Sequence, residues 1–174
     1  MRADDSTLRI PLSQGASALI DASDADRVSR HHWWLRTGRS GVRYAQTRDG
    51  LSMHRLILGL SKGDAAHVDH INGDGLDNRR CNLRTCTKGQ NAMNARKPRH
   101  KRRQWSKYKG VCRHGRKWQA YVFIDGRMLN LGLFEMEYDA ACARDAAARW
   151  VYGEFAWVEL TDRFLRIETH RRPR

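Results

Sequence analysis

The sequence lacks a CxxC pair. Its four cysteines, Cys81, Cys86, Cys112 and Cys142, are scattered along the chain, which predicts small buried thiols kept reduced, not disulfide bridges. No basic leader precedes an apolar run at the N-terminus, and no apolar stretch approaches membrane-spanning length. Neither a secretory signal nor a spanning helix is expected, and a soluble intracellular protein is. Acidic residues are also missing where they would matter most. Residues 95–120 hold eleven Lys or Arg and no Asp or Glu, and a block of one sign reads as a contact surface, whereas a solvated face mixes both signs.

Across its 174 residues, 33 Lys plus Arg stand against 19 Asp plus Glu, for a net charge of +14. That balance favours a polyanionic partner over a neutral metabolite. The 40% hydrophobic content supports modest cores, in one ordinary domain or two to three small modules.

The chain reads as three sections. In the first, TLRIPLSQGASALID predicts two short strands around a Gly turn. ASDADRVSRHHWWLR predicts a short helix with Ser23 as cap and Val28, Trp33 and Trp34 as its apolar residues. VRYAQTRDGLSMHRLILGL predicts a strand, an Asp-Gly turn, a second strand and a brief apolar helix. In the second, AHVDHI has strand character, NGDG is turn chemistry and CNLRTCT is a further strand. Thr87 and Gln90 have the spacing of a capping box, so a helix should run from Thr87 to about Arg96 with Asn91 in its first turn. A strand, a turn, a strand and a helix can bring Asp69, His70 and Asn91 to one point.

Asp69 and the Asn91 carbonyl are hard oxygen donors suited to Mg²⁺ or a similar cation that keeps several waters. His70 could take a proton from an attacking water. Together they suit metal-assisted phosphodiester hydrolysis. An EF-hand reading fails, because a loop with its tight turn at Gly75 would start at His70 and end at Cys81, where carboxylates are required. Zinc-finger spacings are not met by Cys81 and Cys86 with His67 and His70, so no structural zinc is expected. Taken alone, NGDGLDN is turn composition, and Asn72, Asp74, Asp77 and Asn78 read as turn formers. His67, near the site, has phosphate contact as one reading; His54, in MHRLIL, reads as a packed or capping residue.

Residues 54–96, HRLILGLSKGDAAHVDHINGDGLDNRRCNLRTCTKGQNAMNAR, closely resemble the HNH endonucleases of the phage and intron homing type, which have a ββα-metal fold. Asp69-His70, then Asn82, then Asn91 stand in that family's order and spacing. The resemblance implies His70 as general base, Asp69 and Asn91 as holders of the divalent metal, and Asn82 as a brace on the loop through hydrogen bonds to backbone. Asn91 stands where many relatives have His, which favours Mg²⁺ or Mn²⁺ over zinc. The N-terminal section also resembles the one that precedes HNH in such phage and bacterial proteins, which places the chain in the cytoplasm of a bacterial or phage-infected cell.

Beyond it, NARKPRHKRRQWSKYK is a basic linker in which Pro98 stops the helix. Arg96, Lys97, Arg99, Lys101, Arg102 and Arg103 should lie along DNA, giving affinity without sequence choice. From Tyr108 onward, KYKGVCRHGRKWQAYVFIDGRMLNLGLF predicts three strands and EYDAACARDAAARWVYG a helix of about fourteen residues ending at Gly153. Alternation puts Trp118, Ala120, Val122 and Ile124 on one face, approached by Ala141 and Ala148, and Lys117, Gln119, Tyr121 and Phe123 on the other.

This last section resembles the plant ethylene-response-factor, or apetala-two, type of DNA-binding domain. The resemblance rests on Tyr108, Gly110-Val111, WQAYV, Leu131-Gly132-Leu133-Phe134, DAACARDAAA and Gly153. It implies a sheet docked in the major groove, with contacts at Lys109, Cys112 or Arg113, Tyr121, Phe123 and Asn130; Arg116, Lys117 and Gln119 join them from the same basic face. Several positions that are Arg, Glu or Trp in the plant domain differ here, so the plant target sequence is not expected to carry over.

The expected architecture is α+β: a β-rich scaffold at 1–53, a ββα-metal module at 54–96, a linker at 97–107, a sheet-plus-helix domain at 108–160 and a basic tail at 161–174. The expected activity is site-recognising, metal-dependent cleavage of double-stranded DNA by a monomer or dimer, without membrane or small-molecule partner. Two alternatives are a DNA-binding regulator with an inactive HNH module and an RNA-binding protein, although no RNP-type aromatic motif is visible.

Overall fold

A computed structural model describes residues 6–38, 40–61, 63–95 and 106–160. The chain divides into two compact units, Met1–Ala92 and Met93–Arg174. Both are mixed helix and strand with small antiparallel sheets. Among the described residues no helix is long and apolar enough to cross a membrane.

The first unit opens with the expected hairpin, β1 (Thr7–Pro11) against β2 (Ser17–Asp21). A short helix follows, α1 (Ala25–Ser29), but it stops before the tryptophans. Asp24, not Ser23, stands at its N-cap position, and Asp24 accepts both Arg80 Nε at 2.8 Å and Nη2 at 2.6 Å. Trp33 is instead pinned outside the helix by its indole N–H, which donates to the Val28 carbonyl at 2.9 Å, and Trp34 begins a strand. That strand, β3 (Trp34–Thr37), pairs with β4 (Arg43–Gln46).

The second strand expected after the Asp-Gly turn is absent; only an isolated bridge joins Gln46 to Ser52. Thr47 closes that turn locally, its hydroxyl accepting from Leu51 N–H at 2.9 Å, and α2 (Met53–Ile57) starts at once. Next come β5 (His67–His70), β6 (Leu83–Cys86) and α3 (Lys88–Asn94). Leu76 and Leu83 complete a core built from Leu12, Ala18, Ile20, Val28, Trp33, Ala45, Met53 and Ile57. Each fully buried aliphatic side chain contributes about 2 kcal/mol.

The second unit is a three-stranded sheet, β7 (Val111–His114), β8 (Lys117–Ile124) and β9 (Arg127–Phe134), carrying one long helix, α4 (Glu137–Tyr152). Ala120 and Val122 face the helix, where Ala140, Ala141 and Ala148 are buried. Small residues on both sides let strand and helix approach closely. Ile124, expected on that face, is 37% exposed near the strand end. Gly110 has a positive φ of 67°, and a Cβ there would lie 2.5 Å from the Tyr121 carbonyl and 2.8 Å from Arg144 Cγ. Only glycine fits. Of the four cysteines, all free, only Cys86 is buried; Cys81 is exposed and the other two are half-buried.

Candidate functional site

In the first unit, β5 and β6 pair with Asp69 opposite Arg84 and His70 opposite Leu83. Side chains opposite one another share a face, and Arg84 uses this to direct Nε (2.8 Å) and Nη2 (2.6 Å) onto Asp69 Oδ2. Asp69 and His70 are both buried.

The loop between the strands is cross-linked by amide groups. Asn82 Oδ1 accepts from Asn72 N–H at 3.0 Å, while its Nδ2 donates to the Asp77 carbonyl at 2.7 Å and to Asn72 Oδ1 at 3.1 Å. Asn82 thus lies where it bridges the start and end of the loop. Asn72 and Asp74 form local turns, accepting from Asp74 N–H and Leu76 N–H. Asp77 pairs with Arg79 Nε at 2.8 Å and Nη2 at 2.7 Å, and the Arg79 guanidinium holds its carboxyl below the usual carboxylate range. Leu19 N–H donates to the Leu76 carbonyl and Asn78 N–H to the Leu19 carbonyl, both at 2.8 Å, so the loop is also tied to β2.

Asn78 is more than a turn former. It is fully buried, its Nδ2 donates to the Leu76 carbonyl, and its Oδ1 lies 3.3 Å from His70 Nε2. With the amide oriented by Leu76, Oδ1 is an acceptor, so His70 Nε2 carries the proton and Nδ1 is the basic nitrogen. Burial lowers the His70 pKa, partly offset by the Asn78 bond and by Asp69, Asp74 and Asp77, so the imidazole is neutral near pH 7.

Two rings complete the surroundings. His54 lies edge-on to His70 with ring centroids 5.1 Å apart, and Tyr44 is 5.9 Å from each. Tyr44 reaches this position because Gly75 lacks a side chain: a Cβ at Gly75 would lie 2.6 Å from the Tyr44 ring and 2.4 Å from the Arg43 carbonyl.

Asn91 is delivered by α3, whose start has the reciprocal pair expected of a capping box. Thr87 N–H donates to Gln90 Oε1 at 2.8 Å and Gln90 N–H to Thr87 Oγ1 at 3.2 Å. The buried Cys86 thiol accepts a bond from Asn91 N–H and lies within electrostatic reach of Asp69; its pKa is raised, first by burial and then by that carboxylate. Asp69 and Asn91 therefore flank one thiol.

Asp69 on β5 and Asn91 on α3 each carry a hard oxygen donor, a carboxylate and an amide carbonyl. Among the described residues no three His, Cys, Asp or Glu side chains gather as a closed metal site. A carboxylate and an amide carbonyl suit a hydrated divalent cation that retains open positions.

Residues 52–93 match the family model described as HNH endonuclease. An HNH endonuclease domain occupies this stretch. It takes in α2, β5, the braced loop, β6 and nearly all of α3. The chain is also similar to an uncharacterised HNH endonuclease of Acanthamoeba polyphaga mimivirus, 28% identical over 148 residues, which cover 82% of this chain and 74% of the relative. No solved structure matches the chain.

The HNH domain thus holds Asp69, His70, Asn82 and Asn91, and the expected DNA contacts lie outside it. Arg96, Lys97, Arg99, Lys101, Arg102 and Arg103 fall outside the described residues. In the second unit, Gln119, Tyr121, Phe123 and Asn130 share the sheet face away from α4; Phe123 is 49% exposed. Arg113 stacks over the Trp118 ring at 4.6 Å, Arg116 lies exposed in the adjoining turn, and Lys117 pairs with Glu135. Lys109 has a different occupation. Its ammonium donates to the Met93 carbonyl at 2.8 Å and the Ala95 carbonyl at 2.7 Å, and burial lowers its pKa to about 8. A charge held against backbone carbonyls is poorly placed for a phosphate.

The sequence reading missed Asn78, Tyr44 and Arg84. Arg84 had a signal in the strand register. Asn78 was hidden by turn composition, and Tyr44 comes from a hairpin distant in sequence.

Proposed function

We propose that the chain is a site-recognising DNA endonuclease of the homing type. It hydrolyses phosphodiester bonds with one divalent cation, Mg²⁺ or Mn²⁺, and His70 as general base. The observation that carries this reading is His70 Nε2 held 3.3 Å from the buried Asn78 Oδ1, inside an HNH domain and next to Asp69. Asp69 and Asn91 would hold the cation, which would supply positive charge to stabilise the phosphate as it is cleaved. His70 Nδ1 takes the proton of the attacking water. Asn82 and Asn78 keep the loop and imidazole in place, so no reorganisation accompanies proton transfer.

The second unit would read part of an extended site in the manner of an apetala-two domain, with Gln119, Tyr121, Phe123 and Asn130 toward base edges and Arg116 and Lys117 toward phosphates, whereas Arg113, opposite Trp118, lies on the α4 side of the sheet. The basic linker would track the backbone between. A regulator with an inactive module is favoured by one observation: Arg84 occupies Asp69 Oδ2 with two nitrogens. Relaxation of supercoiled plasmid in Mg²⁺ or Mn²⁺ but not in chelator supports the nuclease. Tight DNA binding without nicking of any target-bearing DNA supports the regulator.

A further inference from the structure

Beside the HNH site lies a cleft of about 510 Å³ whose lining includes Arg36, Gln46, Ser52, His54, His67 and Asn91. Its lining contains no carboxylate. The register of the β3–β4 hairpin explains why Arg36, Gln46 and Tyr44, which also lines the cleft, converge: Arg36 pairs with Tyr44, and Gln46 is two residues further along the same face. Gln46 Nε2 donates to the Gly50 carbonyl at 3.0 Å and lies 3.5 Å from Ser52 Oγ, which positions that hydroxyl as a donor to the cleft.

His54 is the informative member. Its Nδ1 is buried with no hydrogen-bond partner, and Nε2 makes no hydrogen bond among the described residues. An N–H sealed at Nδ1 would be an orphaned donor, the costlier arrangement. The proton therefore sits on Nε2 of a ring that lines the cleft. Burial, with His70 and Arg55 nearby, lowers the His54 pKa to about 3, so the ring is a neutral donor across the working pH range. Arg55 directs its guanidinium to the carbonyls of Ser61, Asp64 and Ala66 and so serves the wall. Arg36 is exposed.

We propose that this cleft seats a second backbone phosphate of the bound DNA strand, next to the one being cut, with Arg36 supplying charge and His54 Nε2–H and the Ser52 hydroxyl supplying hydrogen bonds. The proposal rests on the nuclease reading for its ligand, and Asn91, shared by cleft and HNH site, makes the two seats neighbours. An anion seat without a carboxylate, at one side of a site for a phosphodiester, suits a polymer of phosphates better than a lone metabolite.

Binding of the full chain to a short DNA duplex is measured in chelator, across a range of salt concentrations. Arg36→Ala should lower the slope of log affinity against log salt by about 0.9, the value for one phosphate. His54→Phe, which keeps the ring and loses the donor, should weaken binding several-fold at unchanged slope, and His54→Gln, whose amide can reach the Nε2 position, should restore much of the loss. An unchanged slope in Arg36→Ala overturns the proposal. So does equal binding by the Phe variant and the parent. Replacing chloride by inorganic phosphate at constant ionic strength should compete for the cleft and weaken binding by the parent more than by Arg36→Ala; an equal effect on the two would overturn the proposal. Nicking by the parent in Mg²⁺ is scored separately, so failure of the nuclease reading shows there and failure of the phosphate seat shows in the chelator data.

Discussion

Replacing Asn78 by Ala removes the acceptor that faces His70 Nε2 and frees the imidazole to adopt the other tautomer. Nicking should fall about tenfold to a hundredfold, as for other groups that orient a reacting side chain, while DNA affinity stays unchanged. Single-turnover rates beside equilibrium binding check this, and an undiminished rate would remove Asn78 from the mechanism. His54 makes a second prediction at the same scale. Its folded pKa is about 3 against an ordinary value near 6.5, so between those values the unfolded chain binds more protons. Stability of the first unit is therefore lost as pH falls from about 6.5 toward 3. The His70 shift has the same direction, and Asp77, whose carboxyl is held low by Arg79, adds to the loss at the acid end. Urea melts against pH should show this decline, and His54→Phe should flatten it; parallel curves would contradict the burial argument.

The HNH elements form from local instructions, and the capping box of α3 is the clearest. Thr87→Ala leaves the Gln90 N–H without its cap, which should cost about 1 kcal/mol and fray the turn that carries Asn91. A lowered melting temperature with a higher metal requirement for nicking is the expected result; loss of stability with an unchanged metal requirement would argue against Asn91 as a ligand. The same locality explains what was legible in the sequence. Alternation, turn chemistry and the Thr87–Gln90 spacing suffice for β5, β6 and α3, and the three strands and helix of the second unit follow from similar patterns. Tertiary contacts decided the rest. The α1 helix ends early because the Trp33 indole is drawn to the Val28 carbonyl. Tyr44 arrives at His70 through a hairpin and the gap left by Gly75, which no local pattern records. Asn78 has the composition of a turn and the burial of a core residue, and only the fold distinguishes them.

For the whole molecule, the charge of +14 and the basic block at residues 95–120 predict binding dominated by phosphate contacts. Lys101→Ala with Arg102→Ala should reduce the salt slope by about 1.8, two phosphates at the duplex value, and weaken all sequences equally. A changed sequence preference would contradict a backbone-tracking linker. Plasmid nicking probes the chemistry of the HNH domain itself. Supercoiled DNA carrying target sequence is incubated with the parent and His70→Ala, in Mg²⁺ or Mn²⁺ and in chelator, with binding measured in parallel. The account predicts relaxation that requires both metal and His70, with binding nearly equal for the two proteins. Relaxation by His70→Ala at the parental rate would contradict it.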